Sequence, residues 1–188
     1  MRVIAGSAGG VRLAVPRSGV RPTMDRVKAA IFSSLGDRVI GARVLDLFAG
    51  TGALGIEALS RGAASVMFVE SDRHAIAAIE RNLAKTKLSG RVRQQDVFDF
   101  LAHASTAERH EIIFADPPYD RSKRGDPFTN LLLRHEHLPD RLTVEGIFVL
   151  EKRPAERLPA TESWRVVRRK TYGATETIFL QRKAAGTE

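Results

Sequence analysis

The chain has 188 residues and a mass of 20.7 kDa, the size of one domain with at most a small appendage. Hydrophobic residues make up 43%, enough for a core, and the absence of cysteine excludes disulfides, thiolate metal sites and a thiol nucleophile. The net charge is +8 and sits at the ends: residues 1–43 carry eight Lys/Arg against two acids and residues 152–188 nine against four, while residues 44–151 carry 13 against 16.

Basic ends around an acidic-leaning middle predict a polyanionic partner, attracted and steered inward by counterion release. No apolar run approaches the length that crosses a bilayer. The opening Met1-Arg2-Val3-Ile4-Ala5-Gly6 breaks into glycines too early for a signal peptide, so a soluble, cytoplasmic protein without membrane association is expected.

In chain order, Arg2–Gly6 and Val11–Val15 read as two short strands around a glycine turn. A loop ends at Val20-Arg21-Pro22. Thr23 can then cap a helix with Met24, Val27, Ile31 and Leu35 on one face, ended by Gly36. From Val44 the pattern alternates. Val44–Phe48 is a buried strand, a glycine loop leads into a helix through Leu59, and Val66–Glu70 is the next strand. A helix from about Asp72 carries Ile76, Ile79 and Leu83. Val92 marks a short strand ending near Asp96, and Val97–Ala102 a helical turn. Ile112–Ala115 is a strand, Asp126 caps a helix with Pro127 at its first position, and Gly146–Leu150 is a fifth strand. Such alternation predicts an α/β fold with a parallel sheet covered on both faces. Trp164–Tyr172 and Thr175–Leu180, joined at Gly173-Ala174, predict a closing antiparallel hairpin. The expected organisation is an RNA-facing basic extension over residues 1–40, a catalytic domain over 41–183 and a frayed tail over 184–188.

Two motifs carry the chemistry. Asp46-Leu-Phe-Ala-Gly50-Thr-Gly52-Ala-Leu-Gly55 follows a strand and opens a helix, so its glycines let a ligand lie against the backbone. A carboxylate at Asp46 repels a pyrophosphate but suits a ligand with an ammonium group and no phosphate. S-adenosylmethionine is such a ligand, and its own carboxylate can use free N–H groups at the helix start. Glu70, at the end of the second strand, can accept from both ribose hydroxyls, and Asp96, ending the third, can receive the adenine amino group.

Asp116-Pro117-Pro118-Tyr119 projects from the fourth strand on the same rim. Its prolines fix φ and remove N–H donors, leaving rigid carbonyls. A carboxylate, a fixed carbonyl and an aromatic ring together fit an exocyclic amine on a nucleobase. Acceptance of its two hydrogens by Asp116 and the Pro117 carbonyl favours a pyramidal nitrogen with an available lone pair. Tyr119 can stack on a base drawn from its stack.

Together these motifs resemble the amino-methyltransferases with a Rossmann-like, seven-stranded, mostly parallel sheet. Val3-Ile4-Ala5-Gly6, Gly10-Val-Arg12-Leu, Arg21-Pro-Thr-Met-Asp-Arg26-Val-Lys, Ala53-Leu-Gly-Ile-Glu-Ala-Leu-Ser-Arg-Gly62 and Tyr172-Gly173 narrow the likeness. They are similar to the bacterial 16S rRNA guanine-N2 methyltransferases of the RsmD family, over nearly the whole chain to about Arg182. The resemblance implies transfer of a methyl group from S-adenosylmethionine to the N2 amine of a guanine in 16S rRNA, within an assembled or partly assembled small ribosomal subunit. A monomer is expected, independently of the resemblance. The cofactor is then expected on Asp46, Phe48, Gly50, Thr51, Gly52, Glu70, Ser71, Asp96 and Val97. Catalysis is expected at Asp116, Pro117, Pro118 and Tyr119.

Arg12, Arg17, Arg21, Arg26 and Lys28 are expected to form an RNA-facing edge that sets affinity and orientation. For Arg165, Arg168, Arg169 and Lys170, strand alternation lets only part of the group face one way. No metal site is expected. His135 and His137, one residue apart on a predicted helix, point apart, and all five histidines are expected at the surface. Three other readings compete. A DNA adenine-N6 methyltransferase shares the Asp116 motif, but the chain has no domain to read a DNA sequence. A nicotinamide-dependent dehydrogenase leaves Asp46 and Asp116–Tyr119 unexplained. A non-catalytic RNA-binding assembly factor explains only the charge.

Overall fold

Short continuous apolar runs alternating with helical ones resolve into a single sheet in the computed structural model, which describes residues 1–15, 25–103, 108–118 and 127–183. Helix α1 (Asp25–Leu35) precedes β1 (Arg43–Leu47), α2 (Ala53–Ser60), β2 (Ser65–Glu70), α3 (Arg73–Thr86) and β3 (Arg91–Gln94). There follow α4 (Val97–His103), β4 (His110–Ala115), α5 (Phe128–Arg134), β5 (Leu142–Lys152), β6 (Trp164–Tyr172) and β7 (Thr175–Arg182). The seven strands lie in the order β3-β2-β1-β4-β5-β7-β6. The first five are parallel, and β7 and β6 join antiparallel at one edge.

Alternation along each strand divides the core into two layers. One contains Val44, Phe68, Phe114, Val149 and Phe179 and packs against α1, α2 and α3. The other contains Leu45, Val69, Ile113, Phe148 and Ile178, with Trp164 closing the hairpin end. Phe68, Phe114 and Phe148 are fully buried, each stabilising the fold by roughly 1.5–3 kcal/mol through area removed from water.

The first residues share this core, since Val3, Ala8 and Leu13 join the layer built on α1 and α2. They do not form the expected pair of strands. Val3 N–H donates to Val11 O at 2.9 Å and Leu13 N–H to Met1 O at 3.1 Å, but only the single bridge Arg2–Arg12 results. The reason is a competing acceptor: the N–H groups of Ile4 and Ala5 turn to the Glu57 carboxylate, at 2.7 and 3.0 Å.

Other element boundaries also differ from the sequence reading, most of all β5, which begins at Leu142 and not at Gly146. Strand β5 runs past Leu150 to Lys152, because Glu151 and Lys152 are buried and not solvated strand-end charges. Pro127 occupies the cap position ahead of α5, so the helix begins one residue later than read, with the Pro127 carbonyl accepting from Asn130 N–H at 2.8 Å. Thr23, Asp126 and the tail 184–188 lie outside the described residues.

Candidate active site

Ligands of parallel α/β sheets bind beyond the carboxyl ends of the strands, and the acids gather there. Asp46 (β1), Glu70 (β2) and Glu151 (β5) continue the face that carries Val44, Phe68 and Val149, and Asp116 follows Phe114 on it from the end of β4. The register Ala115–Leu150 sets Asp116 beside Glu151.

The loop after β1 makes this end accessible to a ligand. Phe48 has φ +54°, a left-handed conformation that costs a non-glycine residue about 1–3 kcal/mol. Gly50 and Gly52 follow with φ +55° and +74°. Gly55 lets α2 lie close on the sheet, for a Cβ there would stand 2.3 Å from the Phe68 ring. The loop is tied from three sides. Asp46 accepts from Gly55 N–H at 2.9 Å, Glu70 accepts from Gly50 N–H at 2.8 Å, and Asn82 of α3 donates to the Thr51 carbonyl at 3.0 Å. Asn82 also brackets Ala14 through both its N–H and its carbonyl, so it couples the N-terminal segment to the loop.

Each acid has a distinct setting. Asp46 shows 2% of its surface, and burial pushes its carboxyl well above the usual carboxylate range, with Asp116 and Glu70 adding to the rise. Its position is beneath the loop, where one oxygen is committed to the backbone. Glu70 is half-buried; its other oxygen accepts from Ser71 and Asp72 N–H at 2.8 and 2.9 Å. Asp96 is exposed and caps α4, accepting from Phe98 N–H at 2.8 Å and Asp99 N–H at 3.2 Å, while Val97 beside it is buried. Asp116 is half-buried, Pro117 buried and Pro118 exposed. Tyr119 lies outside the described residues.

Glu151 was not singled out from the sequence, where it reads as the polar end of an apolar run. It is buried, its Oε1 has no hydrogen-bond partner among the described residues, and burial, then Asp116, then Asp46, push its carboxyl well above the usual range. Thr177, directly opposite it on β7, is fully buried, and its hydroxyl has no hydrogen-bond partner among the described residues. Also missed was a ring cluster at the rim. Phe48, Phe98 and Phe128 lie 5.9–6.1 Å apart by centroid, and Phe98 reaches His135 at 6.4 Å. Phe48 was already expected at the cofactor, but nothing in the sequence brings Phe98 and Phe128 to it.

The basic edge is revised. Arg12 and Arg26 are exposed, and Arg17 and Arg21 lie outside the described residues. Lys28, expected to face RNA, is fully buried; its ammonium meets Glu57 at 3.1 Å and the Arg2 carbonyl at 2.5 Å. It therefore offers no charge to an external polyanion. His110, expected at the surface, is buried at the start of β4, and burial lowers its pKa. His135 and His137 lie beyond the end of α5 with rings 5.9 Å apart, so the helical-spacing argument does not apply to them. Among the described residues no group of three or more His, Asp or Glu could hold a metal ion, and no helix is long and apolar enough to cross a membrane.

The chain matches the family described as conserved hypothetical protein 95 over residues 1–181. It is 38% identical to ribosomal RNA small subunit methyltransferase D of Escherichia coli (strain K12), over 99% of this chain and 92% of that one. Its structure superposes on that of the Escherichia coli protein yhhF with a TM-score of 0.80 and 36% identity, over 98% of both chains. The fold, at TM-score 0.66 and 23% identity, is also that of the T. thermophilus 16S rRNA N2 G1207 methyltransferase in complex with AdoMet and guanosine, over 89% of this chain and 44% of that one. The seven-stranded, mostly parallel sheet with its antiparallel edge is thus the class I methyltransferase fold.

Proposed function

This chain belongs to the conserved hypothetical protein 95 family, the RsmD family of ribosomal RNA methyltransferases, and we propose that it methylates the exocyclic N2 amine of a guanine in 16S rRNA. The carrying observation is the convergence of Asp46, Glu70, Asp116 and Glu151 on one face at the carboxyl ends of four adjacent strands, beside a glycine loop. Such an acid-lined loop suits a cation and disfavours a pyrophosphate, and the oxygen of buried Glu151 without a partner among the described residues marks a site short of positive charge. Both features fit S-adenosylmethionine, which when bound supplies an electrophilic methyl group on a sulfonium.

This chain's residues then hold and orient. Glu70, oriented by the Gly50, Ser71 and Asp72 amides, would accept from the ribose hydroxyls with its remaining lone pairs. Asp96, followed by Val97, takes the adenine end, with the Phe48 ring beside that of Phe98. Gly50, Thr51 and Gly52 supply backbone to the amino-acid end, over Asp46. Asp116 and the Pro117 carbonyl accept the two hydrogens of the guanine amine and aim its lone pair. Tyr119 stacks on the base. Asp116 takes the proton that the methylated nitrogen sheds. Most of the rate enhancement is positioning and fixed electrostatics. The substrate is a small subunit, assembled or in assembly, met by a cytoplasmic monomer.

The test is methyl transfer from labelled S-adenosylmethionine, offered unmethylated small subunits, protein-free rRNA and duplex DNA in parallel, with nucleoside analysis. N2-methylguanosine from subunits is the expected product; label in DNA adenine would overturn the substrate assignment. Asp116→Ala should lower turnover by roughly two to three orders of magnitude with cofactor affinity kept. Glu70→Ala should mainly weaken cofactor binding.

A further inference from the structure

Strand β6 is one of the two edges of the sheet and carries Arg165, Arg168, Arg169 and Lys170 in nine residues without an acid. Strict alternation would divide the four evenly between the faces. The register does not alternate strictly: Val166 pairs with Leu180 and Arg168 with Phe179, leaving Val167 as an extra, bulged residue. The bulge reverses the facing of everything after it. Arg168 and Lys170 now stand opposite Phe179 and Thr177, on the layer that carries the acids, as Arg165 does opposite Gln181. Arg169, opposite Ile178, is left alone on the other face.

Three basic residues thus line the active-site side of the edge. Arg165 hydrogen-bonds Gln181 at 2.6 Å. Arg168 is exposed and Lys170 half-exposed, and neither forms an ion pair among the described residues. Lys170 also shares its row with the site: Lys170 opposes Thr177, Thr177 opposes Glu151, and Glu151 stands beside Asp116. Three strand spacings separate Lys170 from Asp116, about 14 Å between backbones, so both lie within one short stretch of single-stranded RNA. Arg168 lies one pleat further along, about 7 Å away, the spacing over which phosphates of an extended strand recur.

We infer that the site-facing edge of β6, Arg168 and Lys170 with Arg165, holds the phosphates of single-stranded RNA flanking the base presented to Asp116. The inference rests on the proposed RNA substrate but not on the methylated atom. An extended strand suits an open β edge, and a phosphate row suits cations with no acid to neutralise them. The bulge is the device that gathers the charge, since without it Arg168 and Lys170 would face away.

The test compares Arg168→Glu/Lys170→Glu with Arg169→Glu, using protein-free 16S rRNA as probe and binding measured over a salt series. Melting temperature and S-adenosylmethionine affinity report that each variant is folded and its cofactor site intact. The double variant should bind RNA at least about tenfold more weakly, and its slope of log K on log salt should fall by about 1.4, two single-strand phosphate contacts. Arg169→Glu should leave the slope unchanged. A slope unchanged in the double variant, or an equal change from Arg169→Glu, would overturn the inference. Because binding is read without turnover, a wild-type protein that binds RNA but methylates no guanine would fail the proposed reaction and leave this one standing.

Discussion

Two buried polar clusters lie on the same face of the sheet and have opposite characters. Around Glu57 every charge is answered: its carboxylate accepts from Ile4 and Ala5 N–H, from Lys28 at 3.1 Å and from Arg61 at 2.7 Å. At the carboxyl ends of the strands, buried Asp46 and Glu151 have no cationic partner among the described residues, and burial pushes both pKa values up. Burial alone therefore does not tell a structural charge from a functional one. A satisfied network fixes the fold, here the N-terminal segment and α1 onto α2. A deficient one, which costs stability as it stands, is explained by a ligand that brings the missing charge.

The largest expected effect comes from breaking the satisfied cluster. Lys28→Ala leaves the Glu57 carboxylate short of a partner with no access to water, and should cost about 3–5 kcal/mol, a fall in melting temperature of roughly 10 °C or more for a chain this long. Desolvation lowers the Lys28 pKa although Glu57 raises it, so the pair is held by geometry at a price in solvation. Replacing both partners with apolar residues often restores stability for an isolated buried pair. Lys28→Met/Glu57→Leu should not recover here, because the Ile4 and Ala5 amides would lose their acceptor. Thermal unfolding of the single and double variants decides this; recovery in the double variant would show that Glu57 is not the anchor of the N-terminal segment.

The deficient cluster should respond to pH in a characteristic direction. A carboxyl whose folded pKa lies above its unfolded value binds more protons when folded, so stability is highest below the unfolded value and falls as pH rises towards the folded one. Asp46 and Glu151 both act in this sense. Glu151→Gln keeps the shape and removes the titration. It should therefore flatten the fall in melting temperature above pH 4.5, the ordinary glutamate value, and raise stability at pH 8 relative to the native chain. Saturating S-adenosylmethionine should narrow that difference if its positive charge answers the acids.

How much of this was legible in the sequence depends on whether a residue's partners are near it in the chain. The strand–loop–helix containing Asp46 and Gly50–Gly55 is local, so glycine spacing and the apolar run before it were enough to place it. Asp116 followed from its own strand and the prolines after it. Lys28 and Glu57 were not legible as a pair, because 29 positions separate them and a lysine on a helix among arginines looks solvated. Glu151 was missed because its apolar run gave no sign that the strand continued, buried, beyond Leu150. The reversal of β6 was also hidden. Nothing in Val166-Val167-Arg168 marks a bulge, and one extra residue exchanges the faces of all that follow.

A third arrangement of charge sharpens the comparison by removing burial. At the opposite ends of β1 and β4, Arg43 grips Glu111 with Nη2 at 2.6 Å and Nε at 3.2 Å, and its backbone N–H donates to the same carboxylate at 2.7 Å. The geometry is as good as that around Glu57, but the side chains are 49% and 37% exposed. Water then screens the attraction and would solvate either partner left alone. Arg43→Ala should cost at most about 1 kcal/mol, and less at high salt. Its pH signature is opposite to that of Glu151: Arg43 holds the Glu111 pKa below the usual value, so the stability it contributes is present above that value and is lost as pH falls. Chemical denaturation of Arg43→Ala at low and high salt and at pH 4 and 7 checks both points. A loss comparable to that of Lys28→Ala would mean that hydrogen-bond geometry, and not exclusion of water, separates the two kinds of cluster.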